Sequence, residues 1–345
     1  MRIAHIILTS KFAGSERYAL ELAAEQAKQH DVTLVLRNSA CIQHPRAIAH
    51  RVDPKVTIHK VNDWFAGFQV RRFLRQYSPD IAHAHLSRAC KALAAISGIC
   101  PRIATLHIHY KAAQHQALDG LIAIAPWQLN DLPIVLRERS VQIDNWTLPH
   151  TTDANARSRL RAQLNLNDSD FLFGSIGRIE NSKGMDLLLA AHKQIADPSC
   201  KLVIVGEGSQ RRKLMELAND TAQLIGFSGE PQAWLSAFDC FVSASRSEPF
   251  GLVMLEAMQA RLPIIASASQ GARHLQKHIG RELVALDDVN ALAQAMASVR
   301  AARPGRQDYD LSGFRIGPQA AAIEQYYQQC LVRFQPKAKP LDARG

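Results

Sequence analysis

The residues best suited to do chemistry lie in one run, Ser243-Ala-Ser-Arg-Ser-Glu-Pro-Phe-Gly-Leu-Val-Met-Leu-Glu256. It follows an apolar segment, Cys240–Ser243, that reads as a buried strand. Pro249 and Gly251 break the chain, and a helix is predicted from Leu252 to Ala260. The first turn of a helix offers unpaired N–H groups and a positive dipole end, which suits a phosphate. Gly251 lets the backbone come close to a ligand. Glu248 in the loop and Glu256 in the helix carry carboxylates that only accept hydrogen bonds, so each can grip a pair of hydroxyls, as on a ribose or a sugar. A lone glutamate on a loop or helix is ordinarily solvated; the surrounding phosphate-type turn is what gives this pair its interest.

Two further turns have related character. In Gly174-Ser-Ile-Gly-Arg-Ile-Glu-Asn-Ser-Lys-Gly184 a strand, Phe171–Ile176, ends at Gly177-Arg178, and Lys183-Gly184 precede a helix over Met185–Ile195. A guanidinium and an ammonium in that position make a diphosphate clamp. Ser10-Lys-Phe-Ala-Gly-Ser-Glu16 joins the first strand to the first helix, with Gly14 suited to close approach and Ser15 placed to cap the helix. Its single glycine gives no dinucleotide fingerprint. Asp168-Ser-Asp170 precedes a strand and reads as turn chemistry rather than a metal pair. His83/His85 and His107/His109 alternate so that each pair shares a strand face; with no third ligand evident, no metal is expected.

These turns need elements to hold them. Strands are predicted at Ile3–Leu8, Val32–Leu36, Val56–His59, Ile81–His85, Ile103–His107 and Leu121–Ala125. After a polar stretch near 145–156 they resume at Phe171–Ile176, Lys201–Val205, Gln223–Ile225, Cys240–Ser243, Leu262–Ala266 and Glu282–Val284. Helical patterns fall between them. Continuous apolar strands alternating with helices indicate parallel sheets covered on both faces. The chain therefore reads as α/β, with two Rossmann-like, doubly wound parallel-sheet domains: residues 1–150, residues 151–318, a last amphipathic helix over 319–335 and a flexible tail, 336–345. In such sheets ligands bind beyond the carboxyl ends of the strands, where all three turns lie; two domains facing each other would form a cleft there.

At 345 residues the chain can bury two substantial cores. Its hydrophobic content of 47% and charged content of 21% exclude disorder, collagen and coiled coil. No apolar run is long enough to span a bilayer, and the N-terminus reads as a strand rather than a signal peptide, so a cytoplasmic location is expected. Six scattered cysteines predict reduced thiols. The net charge is +10, and residues 1–150, with 18 Lys+Arg against 11 Asp+Glu, carry +7 of it. A basic first half suits an anionic partner; no nucleic-acid-binding motif is present. Within it, Trp64, Phe65 and Phe68 with Arg71, Arg72 and Arg75 form an aromatic, basic helix. It could lie on an anionic membrane, although the ordinary reading is a covering helix whose aromatic face packs on the sheet.

The order of glycine turn, Gly-Arg…Lys-Gly, and Ser-Glu-Pro-Phe-Gly with a second glutamate eight positions on resembles glycosyltransferase family 4, whose E-x7-E motif matches Glu248 and Glu256. The resemblance runs from about Arg2 to Phe334. It implies the GT-B fold, with an acceptor domain first and a nucleotide-sugar domain second. It also implies a UDP- or GDP-sugar donor, no metal or other cofactor, and retention of anomeric configuration by front-face attack without an enzyme nucleophile. Arg178 and Lys183 would neutralise the diphosphate and Glu256 would hold the ribose. Glu248 would contact sugar hydroxyls, with Gly177 and the backbone of Phe250, Gly251 and Leu252 close by. Gly14 would lie against the donor, His107 would face the transferred sugar, and the last helix would cross back onto the first domain. Lipid-linked or lipopolysaccharide glycans are the acceptors implied, with peripheral contact to the inner face of the membrane. A nucleotide-sugar epimerase, a phosphorylase or a non-catalytic nucleotide-sugar-binding protein are the alternatives. Ala13-Gly14 replaces the usual glycine pair, Asn145-Trp146 stands for the frequent Asn-Gly, and Ser267–His274 departs from the usual glycine-rich turn.

Overall fold

The computed structural model describes residues 1–44, 47–149 and 153–334. Two compact units divide it: Met1–Asn145 together with the chain from Ile316 onward, and Trp146–Arg315. The expected tail, 336–345, lies outside the described residues.

The first unit holds strands β1 (Arg2–Ile7), β2 (Asp31–Arg37), β3 (Thr57–Val61), β4 (Ile81–His85), β5 (Arg102–Leu106), β6 (Gly120–Ala123) and β7 (Val141–Gln142). They form one parallel sheet in the order β3-β2-β1-β4-β5-β6-β7. The second holds β8 (Phe171–Ile176), β9 (Cys200–Val205), β10 (Ala222–Gly226), β11 (Cys240–Ser243) and β12 (Ile264–Ala266), parallel in the order β10-β9-β8-β11-β12. Each order reverses direction beside the first strand of its unit. That point is where an open α/β sheet leaves room for a ligand. The two-residue β7 escaped the sequence reading because it is too short to show a period. The strand expected at Glu282–Val284 shrinks to a single bridge, Ser267 to Val284. Predicted strand Leu262–Ala266 begins at Ile264, and Ile103–His107 ends at Leu106, which leaves His107 just beyond the sheet.

Both sheets bury both faces. In β4, Ala82 and Ala84 join a core with Ala4, Ile6, Val35, Ala104 and Leu106. The alternate residues His83 and His85 face the other way, because successive strand side chains point to opposite sides. The first helix, Gly14–Gln26, and the last, Ile316–Arg333, bring Tyr18, Gln26 and Tyr327 to that second face. The first helix starts without help from Ser15, which lies inside it. The buried Glu16 carboxylate instead accepts from the Ala13 N–H (3.1 Å) and the Thr9 hydroxyl (2.6 Å), a capping role from the third helical position. Among the described residues no helix is long and apolar enough to cross a membrane.

The helix Ala66–Tyr77 departs from the ordinary reading. Its inward face is Val70, Phe73 and Leu74, while Trp64, Phe65 and Phe68 are 89%, 68% and 70% exposed. Arg71, Arg72 and Arg75 are exposed on the same helix. The aromatic residues do not pack on the sheet.

Candidate active site

In the Trp146–Arg315 unit, three turns beyond the carboxyl ends of β8, β9 and β11 are locked together by backbone. The Gly177 N–H donates to the Val205 carbonyl, and the Ile179 N–H to that of Glu207 (3.0 and 2.9 Å). Gly206, at φ +151°, passes so close that a Cβ there would sit 1.8 Å from the Gly177 oxygen. Gly184, at φ +61°, would put a Cβ 2.0 Å from the Ala244 oxygen. The Ser247 N–H donates to the Ser182 carbonyl (3.1 Å). Arg246 closes the joint: its guanidinium is bidentate on Asp186 (2.7 and 2.8 Å) and donates to the Asn181 carbonyl (2.9 Å) and Asp287 (2.5 Å). The same pairing holds the Asp186 carboxyl below the usual range.

That frame brings Lys183 and Glu248 into a direct, mostly buried ion pair. The Glu248 backbone is fixed too, since its carbonyl accepts from the Gly271 N–H (2.7 Å), and a Cβ on Gly271 would meet the Phe250 oxygen at 2.3 Å. The glycine of the divergent Ser267–His274 turn is thus a close-packing residue under the Glu-Pro-Phe-Gly loop. Gly251 adopts φ +98° and starts the helix Leu252–Gln259. Phe250 is buried with its ring edge-on to Phe314 (6.2 Å), so only its backbone remains for a ligand. Leu252 opens the helix; the Met254 N–H donates to the Gly251 carbonyl (2.8 Å), and the Leu252 and Val253 N–H groups come before the first bond of the helix.

Other expected residues are not gathered there. Arg178 follows Gly177, but its side chain is 66% exposed and pairs with Glu180 (2.8 Å). Glu256 is buried and lines a cavity of about 340 Å³ with Asp153, Arg157, Gln259 and Arg306; none of Arg178, Lys183 and Glu248 lines it. Asp170 accepts from the Asn167 N–H (2.7 Å), a turn bond.

In the other unit, Gly14 is the first residue of its helix. His107 stands just past β5, its ring edge-on to Tyr18 (5.0 Å) and its Nε2 3.2 Å from His85 Nδ1. Burial pushes its pKa down to about 3, so the ring is neutral at pH 7. His83 and His85 share one buried face, their rings 4.3 Å apart, whereas His107 is buried and His109 is exposed against Trp127. The third imidazole beside His83 and His85 is His5, in register with His83 on β1, with ring nitrogens of the three within 4.8 Å of one another. All six ring nitrogens of that trio already have hydrogen-bond partners.

Sequence reasoning missed Arg246, Gly206, Gly271 and His5 as parts of these arrangements, and Gly208, where a Cβ would sit 2.2 Å from the Ile179 oxygen. The glycines of Val205-Gly-Glu-Gly208 after a strand were a legible signal. The partners of Arg246 were not, because Asp186 and Asp287 are 60 and 41 residues from it.

A family model described as Glycosyltransferase Family 4 matches residues 12–136, and one described as Glycosyl transferases group 1 matches residues 156–311. The chain belongs to glycosyltransferase family 4. This family 4 chain is 24% identical over 295 residues to the O-antigen biosynthesis glycosyltransferase WclY of Escherichia coli, covering 77% of this chain and 80% of that one. It is 29% identical over 246 residues to the lipopolysaccharide core biosynthesis glycosyltransferase LpsD of Rhizobium meliloti, 68% of each. Among solved structures, Anabaena Alr3699/HepE in complex with UDP and glucose matches with a TM-score of 0.75 at 18% identity, over 96% of this chain and 99% of that one. Sucrose-phosphate synthase from Thermosynechococcus elongatus matches with a TM-score of 0.76 at 20% identity, over 96% and 100%. The fold is GT-B.

Proposed function

We propose that this glycosyltransferase moves a hexose-type sugar from a UDP- or GDP-sugar to a lipid-linked or lipopolysaccharide glycan, with retention of configuration and without a metal. The observation that carries the reading is the Lys183–Glu248 pair held in interlocked turns ahead of the helix Leu252–Gln259. The names of WclY and LpsD support the acceptor class, and UDP in the HepE complex supports the donor.

In this reading the bond between the sugar and the departing diphosphate breaks as the acceptor oxygen bonds to the same carbon from the same face. The acceptor proton passes to the leaving phosphate oxygen. Charge grows on the diphosphate, so cations and helix N–H groups fixed there lower the barrier more than they stabilise the ground state. Lys183 and the first turn of the helix provide such groups. Arg178, exposed and paired with Glu180, exchanges that partner for the diphosphate once it binds. Glu248 orients sugar hydroxyls while keeping the Lys183 ammonium in place, Glu256 holds the ribose, and His107 contacts a sugar hydroxyl. The enzyme works in the cytoplasm at the inner face of the membrane. The exposed Trp64, Phe65 and Phe68 beside Arg71, Arg72 and Arg75 support docking on anionic lipid.

A panel of UDP-, GDP-, ADP-, CMP- and dTDP-sugars, read by thermal shift and then by donor hydrolysis, tests this. A shift with a UDP- or GDP-sugar and slow release of sugar is the expected result. Interconversion of the donor without acceptor points to an epimerase, and no shift with any donor overturns the site.

A further inference from the structure

His107 is the outer end of a chain of buried imidazoles. Its Nε2 meets His85 Nδ1 at 3.2 Å, His85 Nε2 meets His5 Nδ1 at 3.0 Å, and His5 Nε2 meets the Gln26 Oε1 at 2.8 Å. His83 lies beside this chain but outside it, closed between the Tyr327 hydroxyl (2.6 Å) and the Thr105 hydroxyl (2.8 Å). His107 Nδ1 has no hydrogen-bond partner among the described residues.

The three rings of the chain sit in the core, and burial lowers the pKa of each, to about 4 for His5 and about 3 for His107. All are neutral near pH 7, and a neutral imidazole has one N–H and one lone pair. The far end of the chain then dictates every bond in it. The Gln26 amide turns its oxygen to His5 and leaves its Nε2 buried without a hydrogen-bond partner among the described residues; in that orientation the oxygen can only accept, so His5 Nε2 carries a proton and His5 Nδ1 a lone pair. His85 Nε2 must donate to that lone pair, which leaves His85 Nδ1 as acceptor. His107 Nε2 must donate to His85, which leaves a lone pair on His107 Nδ1. A ring's tautomer follows from what its other nitrogen bonds, and here the rule runs through three rings.

We propose that Gln26, acting through His5 and His85, fixes His107 as its Nε2–H tautomer, so that Nδ1 accepts a hydrogen bond from a sugar hydroxyl. Gln26, His5 and His85 are positioning residues. The sugar contact rests on the proposed function; the tautomer does not. The chain also bears on proton transfer. A proton arriving at His107 Nδ1 could be shared as far as His5, but it would end against the Gln26 oxygen, which has none to release. His107 therefore orients a hydroxyl and does not pass its proton to solvent. A zinc ion at His5, His83 and His85 would need ring nitrogens that are already engaged, by the chain in His5 and His85 and by Tyr327 and Thr105 in His83.

The test is a ¹⁵N spectrum of the imidazoles in the full-length protein, with His107 assigned from His107→Gln. A pyridine-like Nδ1 and a pyrrole-like Nε2 on His107 are expected. The reverse pattern, which a turned-over Gln26 amide would impose, overturns the proposal, as does stoichiometric zinc in the purified protein. Gln26→Leu removes the terminal acceptor. It should give His107 averaged shifts of two tautomers and lower kcat about tenfold, with KM for the donor and the nucleotide thermal shift unchanged. A single unchanged tautomer in Gln26→Leu removes Gln26 from the role. Unchanged kcat in both Gln26→Leu and His107→Gln overturns the sugar contact. Absence of donor turnover in the parent protein overturns the proposed function, and the spectrum still decides the tautomer.

Discussion

Lys183 and Glu248 satisfy one another before any ligand arrives, so both charges are paid for in a mostly buried place. Arg178 stands apart, exposed, with Glu180 as its ion-pair partner among the described residues. Removing an exposed arginine costs little stability, since such pairs contribute at most about 1 kcal/mol. Arg178→Ala should therefore leave the melting temperature near that of the parent while lowering kcat by about ten- to a hundredfold. Glu256→Gln should instead weaken nucleotide binding about tenfold, read by titration calorimetry. Parent-like kinetics and binding in both variants would remove these residues from the site. The histidines make a second prediction at this scale. His5 titrates near 6.5 when unfolded and near 4 when folded, so the unfolded state binds more protons between those values. Stability is complete above pH 6.5 and declines as pH falls toward 4, by on the order of 3 kcal/mol from His5 alone. Denaturant midpoints between pH 7 and 5.5, above the range in which ordinary carboxylates titrate, should fall in the parent and fall less in His5→Gln. Equal slopes would show that His5 is not held neutral.

At the scale of elements, the candidate site is made by turns that touch through backbone. Gly184 and Gly271 are glycines because a carbonyl oxygen occupies the place of a Cβ. Ala at either position must push the Ala244 or Phe250 segment away, and at Gly184 it must also adopt a left-handed φ. Each should cost about 1–3 kcal/mol and reduce nucleotide affinity, because the Glu248 loop moves with those segments. Gly67 is the control. It lies in a helix with nothing within 4 Å of its Cβ position, so Gly67→Ala should stabilise by about 0.5–1 kcal/mol. Thermal melts with and without the best nucleotide distinguish the three. A harmless Gly184→Ala would mean that the two turns are not tightly joined.

For the molecule as a whole, the uneven charge and the exposed aromatics meet at one helix. The first 150 residues carry +7 of the +10, and Ala66–Tyr77 with the residues before it displays three aromatic rings and three arginines to solvent. An isolated exposed aromatic needs no explanation, whereas three within five residues beside basic residues fit an anionic bilayer. Co-sedimentation with vesicles containing anionic lipid should be strong at low salt and decline as salt rises. It should fall at least about a hundredfold in affinity in the triple variant W64S/F65S/F68S, since each of the three rings adds on the order of 1–2 kcal/mol of burial. Binding that is equal for neutral and anionic vesicles, or unchanged in the variant, would end the membrane assignment.

The sequence alone determined the strand-helix alternation, two α/β units, and the three turns after strands. Those features are local: apolar runs set the strands, and glycine, proline and the charged residues between them set the turns. Glu248, Gly251 and Lys183 were legible for the same reason. Tertiary structure decided what lies beside what. Whether the aromatics of Trp64–Phe68 pack or face water depends on which helix face meets the sheet, and Val70, Phe73 and Leu74 took that face. The bracing of Lys183 and Glu248 by Arg246 joins residues some 60 positions apart. The histidine chain required the register that sets His5 beside His83, and a helix that delivers Gln26 to its end. Alternation predicts which face a strand residue takes; only the pairing of strands and the docking of helices decides what it meets there.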